Sequence, residues 1–218
     1  SDLLRIYMAS SVIHMCVAKK INETLKIKDE NMLLLGSIAP DISKHLGESK
    51  TRSHFFDDNE NVDMNRFLEK YKNKLKHPFM LGYYIHLYTD YLWEKYFLSD
   101  IVQNNAIKLL NGETVPQNKE TYKKLIYSDY TNLNVILLDE YQLDLSLFYN
   151  EAIVPDIEMD EIPVDRLYKL LDYTGVIIAN TKKEKAYTFS LENIKPFIET
   201  SSHLILAEIL ELVSNSDA

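Results

Sequence analysis

The chain has 218 residues, of which 46% are hydrophobic, so it is long and apolar enough for one large globular domain and is not a disordered chain. Its formal net charge of −9 disfavours long nucleic acids and anionic membrane surfaces as partners, because both are negatively charged. Cys16 is the only cysteine, which excludes an intrachain disulfide and a cysteine-based metal cage.

Glycine (5) and proline (6) are scarce, which favours long helices over a turn-rich sheet. Residues 8–25 are predicted to form a first helix, with His14, Val17 and Ile21 on its apolar face. The apolar segment 31–42 should be broken by its glycine and proline, and the polar segment 45–63 should be an irregular loop.

Helices are predicted next over 64–77, over 78–97 and over 99–111. The second half should contain one or two helices in 120–150, another in 164–185, and a last one over 190–213 that bends at Pro196. No βαβ alternation is visible. We therefore predict an all-α fold, one bundle-like domain over 1–218, with a metal-site half (about 1–98) and a helical second half (about 99–218).

The apolar helix 78–97 carries His86 and Asp90 four residues apart, so both side chains leave the same face. A buried aspartate is unfavourable unless it is paired, hydrogen-bonded or bound to a metal. Two interpretations stay open at this point. The pair is either a hydrogen-bonded staple of the core or part of a metal site.

Three further residues favour a metal site, although each has an ordinary local explanation. His14 points inward, as a core histidine would. Asp41 follows Pro40 in an apolar segment but suits an N-cap of a short helix at 42–46. His54 lies between Ser53 and two phenylalanines but would be unremarkable if exposed.

Together these residues are two aspartates and three histidines from four segments. Imidazole and carboxylate are ligands that zinc accepts when thiolate is absent, and iron or manganese accept them too. We therefore expect one or two metal ions, zinc in the first place, among His14, Asp41, His54, His86 and Asp90.

The ordered set of SSVIH, LLLGSIAPD, SHF and GYYIHLYTD resembles the zinc-dependent phospholipase C family, whose wider clan includes single-strand nucleases. The resemblance covers roughly the first half of the chain. It implies an all-helical fold in which Asp41, His54, His86 and Asp90 surround one metal, while Asp90 bridges to a second metal that also takes His14.

The sequence also departs from the family pattern. The family's second site uses an N-terminal tryptophan, where this sequence has Ser1. Its third site needs a His-x-x-x-Glu after the long helix, but no histidine lies between His86 and His203, and Ala207 stands four residues after His203. We expect the third site to be missing. His45 competes with His54 as a ligand, and the Ser-His-Phe match favours His54.

By this resemblance the protein is expected to be an enzyme, a metal-dependent hydrolase of a phosphate ester, most simply a phosphodiester. Asp41 is its candidate catalytic residue, which orients or deprotonates the attacking water. The substrate is expected to be a small phosphate ester or a phospholipid. Lys44, Lys50 and Arg52 flank the site and are candidates for holding a phosphate, with simple solvation as the alternative.

Two other functions stay open. An HD-domain phosphohydrolase needs an adjacent His-Asp dipeptide, which this chain lacks. A helical scaffold, with or without a structural metal, would keep the pattern for packing.

No segment is long and apolar enough to span a bilayer and no signal peptide is visible, so we expect a cytoplasmic protein, with a leader removed before Ser1 as the open alternative.

Overall fold

The computed structural model describes residues 9–149, 153–181 and 184–216. It confirms the all-α prediction, since helices dominate and the described residues contain only one small sheet. The helices are α1 (Ser11–Leu25), α2 (Glu30–Ile38), α3 (Ile42–His45), α4 (Lys50–Ser53), α5 (Met64–Tyr71), α6 (Pro78–Leu92), α7 (Ser99–Ile101), α8 (Lys119–Glu140), α9 (Ser146–Tyr149), α10 (Leu167–Ala179) and α11 (Leu191–Ser216).

Buried side chains from both halves form one continuous hydrophobic core, which extends from Ala9 to Ile209. Helix α1 begins after Ser10, whose hydroxyl accepts the backbone N–H of Ile13. It therefore starts three residues later than its apolar pattern indicates. Residue 8 lies outside the described ranges.

The centre of the core is the crossing of α2 and α6. Gly36 does not interrupt its segment as predicted but lies inside α2. A Cβ atom at Gly36 would lie 2.1 Å from the carbonyl oxygen of Phe79, and one at Gly82 would lie 2.2 Å from that of Leu33. The two backbones are in direct contact, so each helix needs a glycine where it faces the other.

Helix α6 begins as predicted, with Pro78 in its first turn and the His77 ring accepting the backbone N–H of Phe79. Beyond Leu92 the chain continues as a wider π-helical turn over Trp93–Leu98. Turns of this kind are rare and often lie next to functional sites. The buried Trp93 ring stacks on Phe97 with 4.2 Å between centroids.

The helix predicted over 99–111 is wrong. Helix α7 ends at Ile101, and the chain forms β1 (Val102–Gln103), β2 (Ala106–Lys108) and β3 (Thr114–Pro116), an antiparallel sheet in the order β1-β2-β3. Asn104 and Asn105 join the first two strands with φ angles of 51° and 60°. Asparagine tolerates this left-handed conformation, and two such residues form a tight hairpin turn.

In the second half, 120–150 contains two helices, α8 and α9, and α11 continues through Pro196.

The buried carboxylate of Asp129 on α8 accepts the backbone N–H groups of Tyr187, Thr188 and Phe189. It therefore fixes the segment before α11 against α8. Sequence analysis did not identify this residue.

The close crossing of α2 and α6 gives a stability prediction. Gly82→Ala places a methyl group inside the van der Waals radius of a backbone carbonyl that has no room to move. We expect a loss of about 3 kcal/mol or more in the free energy of unfolding, measured by urea titration.

Gly175→Ala in α10 is the matched control, because its Cβ would meet nothing closer than 4.0 Å. That change should be neutral or stabilising by about 0.5–1 kcal/mol, since alanine is the better helix former. Equal effects of the two substitutions would contradict the close backbone contact.

Candidate metal centre

All five predicted ligands lie together in the core, and each is at most 2% exposed. Helix α6 provides His86 and Asp90, and α1 provides His14. Asp41 ends the single turn over Ala39–Asp41 that follows α2, and His54 follows α4. The structure therefore brings together residues from four separate segments that are far apart in the chain.

Two of the local alternatives are wrong. Asp41 stands before α3, but its side chain makes no capping hydrogen bond. His54 is fully buried, so it is not an exposed loop residue. Its ring nitrogen Nε2 lies 3.2 Å from Asp41 Oδ1 instead.

The competing histidines are elsewhere. His45 stacks on Tyr173 with 4.6 Å between the ring centroids, and His203 is exposed on α11. Neither belongs to the two groups of described residues that have metal-binding geometry. Those groups are Asp41, His54 and His86, and His14, His86 and Asp90.

Four ligand atoms converge at what we call the first site, formed by Asp41, His54, His86 and Asp90. The separations are 3.2 Å for His54 Nε2–Asp41 Oδ1, 3.2 Å for His54 Nε2–His86 Nε2, 3.7 Å for His86 Nε2–Asp41 Oδ1, 3.0 Å for His86 Nε2–Asp90 Oδ2 and 3.6 Å for His54 Nε2–Asp90 Oδ2. Ligands held at about 2.0–2.2 Å by a tetrahedral ion lie about 3.3–3.6 Å apart. The five separations are close to these values, and Asp41, His54 and His86 alone form a group with metal-binding geometry.

Hydrogen bonds from outside the first site orient two of its histidines. His86 donates its Nδ1–H to the carbonyl oxygen of Ser37 at 2.7 Å, which directs Nε2 toward the site. His54 Nδ1 lies 2.9 Å from the hydroxyl of Ser53, which is also close to the carbonyl of Lys50. Such partners fix the tautomer of a metal-binding histidine.

Asp90 supports a cation most directly. Its side chain is fully buried, and its nearest partners are His14 Nε2 and His86 Nε2, each 3.0 Å from one of its carboxylate oxygens. Neither contact has ideal hydrogen-bond geometry, and a neutral imidazole carries no charge to balance the carboxylate. Burying a carboxylate in this way is strongly unfavourable unless a positive charge lies beside it.

What we call the second site consists of His14 and Asp90, whose contact atoms are His14 Nε2 and Asp90 Oδ1. His86 is close to both sites, and its ring stacks on that of His14 with 3.8 Å between centroids. Because Nδ1 of His86 is committed to Ser37, its one remaining nitrogen can serve only one ion. The described residues thus provide four ligands to the first site and two to the second.

The protonation states also suit a metal. Burial lowers the pKa of His54 to about 4 and lowers that of His14, so both rings are neutral at pH 7 with a lone pair to offer. Burial alone would raise the pKa of Asp90, but the neighbouring His14 and His86 lower it below its usual range. The pKa of His86 is raised because the charges of Asp90 and Asp41 outweigh its burial.

A cavity of about 720 Å³ opens beside the first site, and Asp41 is the one predicted ligand in its lining. Lys44 and Lys50 line the same cavity as predicted, but Arg52 does not. Burial alone would raise the pKa of Asp41, but the charges of His86, Lys44 and Lys50 and the hydrogen bond with His54 lower it well below its usual range.

The opposite wall comes from the second half, to which sequence analysis assigned no role. Its residues are Tyr127, Tyr130, Thr131 and Asn134 on α8 and Thr174, Ile177 and Ile178 on α10. The α8 residues recur at helical spacing, which places them on one face. That stripe of tyrosine, threonine and asparagine was the sequence pattern that could have indicated a polar, cavity-lining face on α8.

Comparison with family models, curated proteins and solved structures finds no significant match. The phospholipase C resemblance therefore still depends on the motifs and on the site they form.

A search of the described helices finds no candidate for a membrane span.

The unsatisfied carboxylate of Asp90 predicts a metalloprotein. Protein purified without chelator should contain at least one zinc, iron or manganese ion per chain by elemental analysis. Asp90→Asn should reduce the metal content sharply. After chelator treatment the variant should melt at or above wild type, because an amide is less unfavourable to bury than an unpaired carboxylate.

Asp129→Asn is the matched control, since Asp129 is equally buried but fully hydrogen-bonded. It should leave the metal content unchanged and destabilise metal-loaded and metal-free protein alike, by about 1–3 kcal/mol. If Asp90→Asn behaves in the same way as Asp129→Asn, then His86 and Asp90 are a structural staple and the metal site is refuted.

Proposed function

We propose that this protein is a metal-dependent hydrolase of phosphate esters, with zinc as its ion. One observation carries the proposal. The ligand set is buried, but one of its members, Asp41, lines an open cavity that has two lysines in its wall. A purely structural metal site is closed on all sides, whereas a catalytic site keeps access to solvent and substrate.

The ligand chemistry favours zinc, since imidazole and carboxylate are ordinary zinc ligands and zinc can expand its coordination to admit a water. Zinc, when bound here, would lower the pKa of a coordinated water to about 7 and offer positive charge to phosphate oxygens. Asp41, His54, His86 and Asp90 would hold it, and Ser37 and Ser53 would keep the two rings in orientation.

Asp41 is the proposed catalytic residue. It contacts His54 and His86 through Oδ1, which leaves Oδ2 to accept a hydrogen bond from a water in the cavity. Because the pKa of this carboxyl group is held well below its usual range, it is a weak base. Its proposed role is therefore to orient the attacking water more than to remove a proton from it.

The activity test uses bis(p-nitrophenyl) phosphate, a phosphodiester whose hydrolysis releases a coloured product. Zinc-loaded protein should turn it over, and chelator should abolish turnover until zinc is added back. Asp41→Asn should reduce kcat by about 10²–10⁴-fold while the protein still binds metal through the other three ligands.

His203→Gln, which changes an exposed histidine on α11, should leave turnover unchanged and so controls for a non-specific effect of substitution, while the loss in Asp41→Asn excludes a contaminating hydrolase. Should the protein bind zinc stoichiometrically but fail to hydrolyse mono- and diesters of phosphate, the proposed function is wrong. The metal would then support a helical scaffold.

A further inference from the structure

The wall of the cavity next to Asp41 carries two lysines at a different depth from the metal ligands. Lys44 lies on α3, three residues after Asp41, and Lys50 begins α4. The hydroxyls of Ser43 and Ser53 join these two short helices at 3.2 Å. Asp41 is buried whereas Lys44 is exposed and Lys50 half-buried, so Asp41 lies at the floor of the cavity and the lysines lie at its mouth.

Neither lysine forms an ion pair with any residue that the structure describes. Elsewhere in this acidic chain lysines pair with carboxylates, as in Lys19–Glu30, Lys70–Glu161 and Lys195–Glu140. Among the residues that the structure describes, no carboxylate lies within 4.0 Å of the Lys44 or Lys50 ammonium group. Their positive charge is therefore available to a ligand in the cavity.

Glu48 lines the same mouth and also makes no ion pair there. It reduces the local charge from two positive groups to a net of one. A singly anionic group bound between the lysines therefore feels attraction from two sides and repulsion from one. Removal of the Glu48 charge should therefore strengthen the binding of an anion, whereas removal of the lysine charges should weaken it.

The space between floor and mouth suits the body of a small molecule. Its volume of about 720 Å³ is within the range of small-ligand sites. The lining is largely apolar and aromatic, with Phe56 beside the metal ligands and Tyr130 and Ile178 on the facing wall. Hydroxyl and amide groups of Thr131 and Asn134 interrupt it and offer hydrogen bonds.

We propose that Lys44 and Lys50 form an anion subsite at the mouth of the cavity, which selects substrates that carry a second negatively charged group in addition to the phosphate that is hydrolysed. This inference depends on the proposed function for its assignment of the floor to the scissile phosphate. The substrate class is a small molecule that carries two anionic groups and an aromatic or apolar group that fits the facing wall. The lysines are specificity-determining residues and not metal or water ligands.

Two pairs of probes that differ by one phosphate test the subsite. The binding pair is thymidine 5′-phosphate and thymidine 3′,5′-bisphosphate, measured by calorimetry on zinc-loaded protein without turnover. The kinetic pair is thymidine 5′-(p-nitrophenyl phosphate) and its 3′-phosphorylated form. In wild type the 3′-phosphate should improve both Kd and kcat/KM by about tenfold at low salt, and less at high salt.

Charge variants identify the source of this preference. Lys44→Gln combined with Lys50→Gln should remove the tenfold ratio between the two members of each pair. Glu48→Gln should increase the ratio by about threefold. The matched control, Lys108→Gln combined with Lys124→Gln, removes two exposed lysines outside the cavity lining and should leave the ratio and the turnover unchanged.

The outcomes separate the two proposals. A binding preference that depends on the cavity lysines, without any turnover, supports the subsite and refutes the proposed hydrolase. Turnover with equal kcat/KM and equal Kd for both members of each pair refutes the subsite and leaves the hydrolase standing. A preference that survives in the Lys44 and Lys50 variant also refutes the subsite.

Discussion

The structure has to accommodate one carboxylate that is buried at the centre of its core. Asp90 lies in the middle of an apolar helix, fully enclosed, with histidine side chains as its nearest polar neighbours. An isolated negative charge in such a place would destabilise the fold by several kcal/mol. Three histidines surround it, and their nitrogen atoms lie 3.0–3.6 Å from its oxygens, at separations that suit the ligands of a metal ion. The site and the core are thus one construction, because side chains that fill the core also form the two groups that could hold a metal ion.

The site is coupled to the packing of the helices through the second layer of contacts. The His86 ring is oriented by the carbonyl oxygen of Ser37 on α2, and α2 crosses α6 with the backbones in contact at Gly36 and Gly82. A carbonyl near the end of α2 can reach a ring on α6 only because no Cβ atom separates the two helices. Asp41 follows three residues after α2, so its position also depends on that crossing.

Much of the first half could be predicted from the sequence because its signals are local. The four-residue spacing of His86 and Asp90 fixes one face of a helix, and the apolar setting of Asp41 and His54 indicates that they are buried. What could not be predicted is which side chains meet across the fold. Local patterns favoured a cap for Asp41 and a break at Gly36, and tertiary contacts decided otherwise in both cases.

The second half shows the limit more clearly. The segment 99–111 has an apolar pattern that suits a helix, but two consecutive asparagines favour a hairpin turn, and turn chemistry decided the outcome. The residues of α8 and α10 that complete the cavity lie more than eighty residues from Asp41. The stripe on α8 marks one face of that helix, but nothing in its own neighbourhood shows that this face lies toward Asp41. Their role follows from chain topology, which short motifs do not encode.

The contact between Gly36 and Gly82 also affects how relatives of this chain are to be recognised. Overall similarity fades quickly when most positions only need to be apolar, but a backbone contact between two helices has no substitute chemistry. Gly36 stands five residues before Asp41, and Gly82 stands four before His86 and eight before Asp90. A search pattern that requires these two glycines in register with the acidic and imidazole positions would therefore retain homologues that have lost every other trace of common descent.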